Sequence, residues 1–154
     1  MKLLFLTQKR DAPSTRWRIL QFIPHFEKAG ASCTVEDWPS GTLARLSLAR
    51  KAAAYDVVVL QKRLLPKMLL NRLRRNARAL VYEFDDGVTL KRTAEGGVRE
   101  SPTRERRFRR TVREADAVIT TNEHLARRAE QAGASPGRVH IFPPVIDLSR
   151  WRPK

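Results

Sequence analysis

The sequence predicts an α/β domain built on a doubly wound parallel sheet with helices on both faces. Three observations carry that prediction. Short apolar, β-branched runs alternate with amphipathic segments along the whole chain, the pattern of strands joined by helical crossovers. The runs are continuous rather than alternating, as in strands buried on both faces. At 154 residues, 42% of them hydrophobic, the chain can form one compact domain with a proper core but not two ordinary ones.

Lys2–Thr7 (KLLFLT) opens the chain as a buried strand. A polar loop containing Pro13 follows, and Ser14 or Thr15 is placed to cap a helix. Ile19, Phe22, Ile23 and Phe26 fall at i, i+3, i+4 and i+7, an amphipathic stripe. Pro24 lies inside it, which predicts a kink or break, and Gly30 stops the helix. Residues 31–38 (ASCTVEDW) read as a strand, residues 39–41 as a turn and residues 43–54 as a helix. Residues 55–60 (YDVVVL) form the strongest strand signal, β-branched and unbroken.

Residues 64–76 read as a very basic helix and residues 79–84 as another buried strand. Residues 91–101, with Gly96 and Gly97, read as a polar, mobile loop. A helix over residues 103–114 turns Phe108, Val112 and Ala115 inward, and residues 117–121 (AVITT) are strand. Residues 123–132 are helix, ended by Gly133, and residues 138–142 (RVHIF) are the last strand.

Composition narrows the function classes. The apolar stretch in MKLLFL is four residues long, too short for a signal-peptide core, and no run approaches a transmembrane helix. A lone cysteine, Cys33, excludes an internal disulfide and a multi-Cys zinc site. These features predict a reduced, cytoplasmic protein with Cys33 in the core. The 31 Lys+Arg against 16 Asp+Glu give a net charge of +15. Such a charge concentrates polyanions: nucleic acid, anionic lipid headgroups or phosphorylated substrates. Charge alone does not choose among them.

In doubly wound sheets the ligand crevice lies beyond the carboxyl ends of the strands. The stretch LVYEFDDGVTL, residues 80–90, places Asp85 and Asp86 at that edge, where an apolar strand ends. Three readings stand side by side. Asp-Gly is a strong turn former. Paired carboxylates also suit Mg²⁺, although no phosphate loop accompanies them. Thirdly, the carboxylates face a substrate, accept hydrogen bonds from its hydroxyls or help to move a proton.

Thr15, Arg16 and Arg18 follow the first strand at the same edge, and a first helical turn rich in arginine is a natural anion site. The plainer reading is a solvated turn with Trp17 packed beneath it. Glu83, Asn122 and Glu123 complete the candidate binding residues at the strand ends. The basic stretches 72–78 and 104–113 read as solvated or surface-binding faces rather than catalytic ones. No GxGxxG follows the first strand, no GxxxxGK[ST] is present, and His25, His124 and His140 have no metal-ligand spacing. No metal site and no cofactor are expected.

The order of these pieces carries a resemblance. Residues 115–122 (ADAVITTN), a helix, residues 138–147 (RVHIFPPVID) and then Arg150-Trp151-Arg152-Pro153 resemble the family 4 retaining glycosyltransferases of GT-B fold. There an A-D-x-V-I-x-x-S/N strand precedes a V-x-x-I-P-N-G-V-D segment that closes the N-terminal domain. Here Pro144-Val145-Ile146-Asp147 stands in its place. The resemblance implies one Rossmann-like half of a GT-B enzyme, the acceptor-side domain over residues 1–147, with an interdomain linker beginning at residues 148–154. The donor nucleotide sugar would bind a C-terminal domain carrying Glu-x7-Glu, a spacing no pair of glutamates here has.

The resemblance also implies roles. Asp85 falls where some members place a histidine facing the transferred sugar, Asn122 follows the fifth strand, and Asp147 matches the linker aspartate. Asp85 and Asp86 are therefore the expected catalytic residues, orienting and polarising rather than attacking. The expected partners are a nucleotide sugar held with the absent domain, a glycan or lipid-linked acceptor, and an anionic membrane surface at the inner face of the membrane. The rival readings are a basic nucleic-acid-binding α/β domain and a non-catalytic membrane-surface subunit that recruits a donor-binding partner. The first lacks the stacking aromatics of known modules.

Overall fold

The computed structural model describes residues 1–94 and 96–146. Asp147 and the linker residues 148–154 lie outside the described residues. In chain order the elements are β1 (Lys2–Thr7), α1 (Pro13–Arg18), α2 (Ile23–Lys28), β2 (Ser32–Asp37), α3 (Thr42–Lys51), β3 (Val57–Gln61), α4 (Lys67–Asn76) and β4 (Ala79–Glu83). Then come β5 (Leu90–Arg92), β6 (Val98–Glu100), α5 (Pro102–Glu114), β7 (Ala117–Thr120), α6 (Glu123–Gln131) and β8 (Val139–Ile141).

Six strands form one parallel sheet in the order β2-β1-β3-β4-β7-β8. The doubly wound α/β class is the one the sequence predicts. Alternation along the strands splits the core into two. Leu4, Leu6, Val58, Leu60, Leu80, Tyr82 and Val118 face one side, against Leu48 of α3, Leu70 and Leu73 of α4, Phe108 of α5 and Ala129 of α6. Each fully buried side chain of this size stabilises the fold by about 1.5–3 kcal/mol relative to exposure.

The opposite face is more thinly covered. Leu3 and Phe5 pack against Ile19, with half-buried Ile23, Cys33, Val35, Val57 and Val59 around them. Cys33 is thus at the border of the smaller cluster rather than deep in the core. An apolar groove of about 460 Å³ runs across this face, past Phe22, Phe26, Val81, Ile119 and Phe142.

Three local expectations are corrected. Neither Ser14 nor Thr15 caps α1; Ala12 holds the cap position, and Pro13 starts the helix, where its missing N–H costs nothing. The stripe from Ile19 to Phe26 is not one helix. A 3₁₀ turn, Leu20–Phe22, separates α1 from α2, and Pro24 sits in the first turn of α2. Residues 91–101 are not simply a loop: β5 and β6 pair antiparallel as a hairpin. Gly96, at φ 82, supplies the left-handed residue that its turn requires.

Candidate functional site

The strand order reverses between β1 and β3, so the crevice opens where these two strands end. Thr7–Gln8 and Gln61–Lys62 leave the sheet there, and β4 delivers Glu83, Phe84 and Asp85 beside them. Lys62 is in the left-handed region, φ 56, a conformation costing a non-glycine residue about 1–2 kcal/mol. Its backbone N–H donates to Glu83 O at 2.7 Å, so the β3–β4 ladder holds it in that turn.

The turn aims the ammonium group at both acids. Lys62 Nζ lies 2.7 Å from Asp85 Oδ1 and 2.6 Å from Asp86 Oδ2. Lys62 is largely buried, with its side chain 13% exposed, while Asp86 stands out in solvent. Burial is the largest single influence on the Lys62 ammonium and pulls its pKa down. Its bonds and attraction to the two carboxylates together outweigh burial, and the net shift is upward. Val88 N–H donates to Asp86 O and Leu90 N–H to Gly87 O, so the Asp-Gly pair does turn the chain. Turn chemistry and a carboxylate pair held at the sheet edge therefore coexist.

Beneath this edge lies a second polar group. Arg18 Nε donates to Glu83 Oε1 at 2.8 Å, and both side chains are 4% exposed. Arg18 also donates to Phe142 O at 2.7 Å, with its guanidinium over the Phe142 ring. Thr15 Oγ1 donates to Gln61 Oε1 at 2.9 Å. Thr15 and Arg18 are thus engaged inside the fold, tying α1 to β3, to β4 and to the chain after β8. Arg16 is exposed. Asn122 Oδ1 accepts the Leu125 N–H at 2.9 Å and caps α6, and Glu123, exposed in the first turn, pairs with Arg127 at 3.3 Å. The structure brings Asp85, Asp86 and Glu83 to one strand end and leaves Arg16 and Glu123 on the surface.

Burial pushes the Glu83 carboxyl above its ordinary range, against the downward pull of the Arg18 guanidinium and the Gln61 amide. The sign of its effect on stability follows. A carboxyl that holds its proton more tightly when folded stabilises the fold fully below its unfolded pKa, about 4.3 for glutamate, and loses that contribution as pH rises through the folded value. Stability titrated upward from pH 4 should therefore contain a falling component, checked by urea unfolding at each pH. Glu83→Gln should lack it. A Glu83→Gln pH profile parallel to that of the parent would show that the component belongs to another group.

Lys62 is the residue that sequence reasoning missed. Its one signal is position, since it follows the strongest strand just as Asp85 follows β4. In front of the acids, an open depression of about 670 Å³ separates Gln8 and Lys62 from the β5–β6 hairpin. Among the described residues no group of three or more His, Cys, Asp or Glu is placed to hold a metal ion, and no helix is long and apolar enough to cross a membrane.

This edge geometry can be set beside known proteins. The glycosyl transferase 4-like domain model matches residues 7–144. The chain belongs to that glycosyltransferase family. No curated protein matches it. Among solved structures, HepE of Anabaena in complex with UDP and glucose is similar over 97% of this chain and 46% of its own, at 19% identity and a TM-score of 0.59. The same protein with UDP-glucose gives a TM-score of 0.54 at 17% identity. An α-glucosyltransferase (AGT) in complex with UDP is similar over 96% of this chain and 44% of its own, at 15% identity and a TM-score of 0.52. At these identities the likeness is one of fold, the Rossmann-like α/β sheet of GT-B glycosyltransferases. The family 4-like chain spans less than half the length of these proteins.

Proposed function

We propose that the chain is the N-terminal, acceptor-side half of a retaining glycosyltransferase that moves a sugar from a nucleotide sugar to an acceptor hydroxyl. Residues 1–147 form that half, residues 148–154 begin the linker, and a second domain supplies the donor site. The family match across residues 7–144 carries the reading. The UDP and UDP-glucose held by the similar structures support a uridine-nucleotide sugar as donor.

The chemistry assigned to this half is positioning. Asp85 and Asp86, neutralised from behind by Lys62, accept hydrogen bonds from the acceptor hydroxyl and from hydroxyls of the sugar in transfer. Held by the Lys62 ammonium, the acids orient and polarise rather than attack. Asp147 would serve the interdomain segment. The acceptor in this reading is a glycan or a lipid-linked molecule, reached from the cytoplasmic side of the membrane.

The test is a division of labour. Residues 1–154 incubated with UDP-glucose and a panel of acceptors should give no turnover, because positioning two substrates is much of the catalysis. The same residues joined to a Glu-x7-Glu donor half should transfer. Robust turnover by residues 1–154 alone would overturn the assignment.

A further inference from the structure

The helices divide unevenly between the two sides of the sheet, and the charge divides with them. α3, α4, α5 and α6 pack as one layer on the face that carries the larger core, while α1 and α2 cover the other. α3 holds three basic residues and no acid, α4 four and no acid, α5 six against two glutamates, and α6 two against two. The layer thus carries a net +11 of the chain's +15. α1 and α2 together carry +2.

Much of this charge has no answer at the surface. Arg50 of α3, Lys67 and Arg75 of α4 and Arg106 of α5 are exposed, and none has an ion-pair partner among the described residues. Along α5, Arg106, Arg109, Arg110 and Arg113 fall at i, i+3, i+4 and i+7 and line an open depression of about 500 Å³. Glu105 and Glu114 line it too, and Glu105 is already engaged by Arg109 and Arg128. Two carboxylates leave the four guanidiniums in excess.

Two nonpolar side chains stand out of the same layer. Leu43 is 83% exposed and Met68 is 65% exposed, each the second residue of its helix. A helix that joins parallel strands runs back along the sheet, so α3 and α4 begin at the carboxyl ends of β2 and β3. That is the end where Asp85 and Asp86 lie. The two aliphatic tips are therefore at the crevice end of the basic layer.

This combination selects among polyanions. Single-stranded nucleic acid is held by bases stacking on aromatic rings. The one aromatic ring of the four helices, Phe108, is buried, and the exposed Trp17, Phe26 and Phe142 lie outside the layer. A duplex offers phosphates but nothing for Leu43 and Met68 to enter. An anionic bilayer offers both, phosphates at its surface and an acyl boundary just beneath.

We propose that the outer faces of α3, α4 and α5 form a docking surface for an anionic lipid bilayer. The arginines and Lys67 bind lipid phosphates by charge-assisted hydrogen bonds, and Leu43 and Met68 enter the headgroup–acyl boundary. Anchoring through these tips brings the crevice end of the sheet toward the bilayer. That the crevice meets an acceptor there rests on the glycosyltransferase reading; the docking surface does not.

The experiment therefore uses no donor sugar. Residues 1–154 are sedimented at physiological ionic strength with vesicles of phosphatidylcholine alone, or of phosphatidylcholine mixed with phosphatidylglycerol. Binding to the anionic vesicles only is expected. The variant Arg50→Gln/Arg75→Gln/Arg106→Gln should weaken it by about fivefold for each charge removed, about a hundredfold in all. The control Lys9→Gln/Arg10→Gln/Lys28→Gln removes three exposed charges outside the layer and should change it by less than about threefold. Leu43→Ser/Met68→Ser should weaken vesicle binding by about tenfold or more, and should leave binding to a DNA duplex within about twofold. Urea unfolding verifies that the variants keep the parent fold, as expected for exposed positions.

Equal weakening in both charge variants would reduce docking to diffuse charge and overturn the surface, as would equal binding to neutral and anionic vesicles. A duplex bound more tightly than anionic vesicles, with vesicle binding indifferent to Leu43 and Met68, would assign the layer to nucleic acid instead. An enzyme complete with its donor half that docks on vesicles yet transfers no sugar would sink the functional reading and leave the surface standing. Sugar transfer without anionic-vesicle binding would do the reverse.

Discussion

Arg18→Ala should cost the fold about 3–5 kcal/mol, the range for breaking a buried ion pair from one side. The loss has two parts. Glu83, at 4% side-chain exposure, would be left in the interior without the guanidinium that holds its charge. The carbonyl of Phe142 would also lose its donor, so the chain after β8 would come away from α1. Urea unfolding at pH 7 measures the cost. The double variant Arg18→Leu/Glu83→Leu discriminates between pairing and packing, since replacing both members of a buried pair with apolar groups is often neutral or stabilising. A double variant as unstable as Arg18→Ala would assign the loss to the Phe142 contact and the cation–π stack instead.

Asp85→Ala, in an enzyme complete with its donor half, should lower turnover by about 10²–10³, or about 2.7–4 kcal/mol, by analogy with removal of a hydrogen-bonding group that acts only in the transition state. The stability cost should be near 1 kcal/mol, because a partly exposed strand-end carboxylate leaves no large cavity. Asp86→Ala separates the roles. Asp86 is the more exposed acid, and Asp85 still pairs with Lys62 in its absence. Its effect on turnover should therefore be smaller. Small and equal losses in both variants, following their melting temperatures, would leave the acids with turn formation alone.

What could be read beforehand follows from the range of the forces involved. β1, β3, β4 and β7 show as continuous apolar runs because burial on both faces leaves no polar positions to interrupt them. Asp85 and Asp86 were visible for the same reason, as charge placed where such a run stops. The start of α4 was read too early: Leu64 and Leu65 fit the helical pattern, but Pro66 takes the cap and the helix begins at Lys67. The hairpin was missed because Lys91, Arg99 and Glu100 give it no apolar alternation, and its pairing shows only in the fold. Lys62 was missed because its left-handed turn is imposed by β4, and one lysine after a strand is no motif. Arg18 was seen as an anion ligand because its true partner lies 65 residues away.

That last separation has a temporal meaning. Arg18 reaches Glu83 across 65 residues and the Phe142 carbonyl across 124. During synthesis the N-terminal strands emerge first and pair early, yet the arginine that joins them to the far edge must wait for nearly all of residues 1–142. Until Glu83 arrives its charge has to remain hydrated, and until Phe142 arrives α1 lacks its tie to the far edge. Contacts of such long range slow the final step of folding. A ribosome-bound chain halted before β8 should accordingly leave α1 open to protease, and one halted well after Phe142 should protect it.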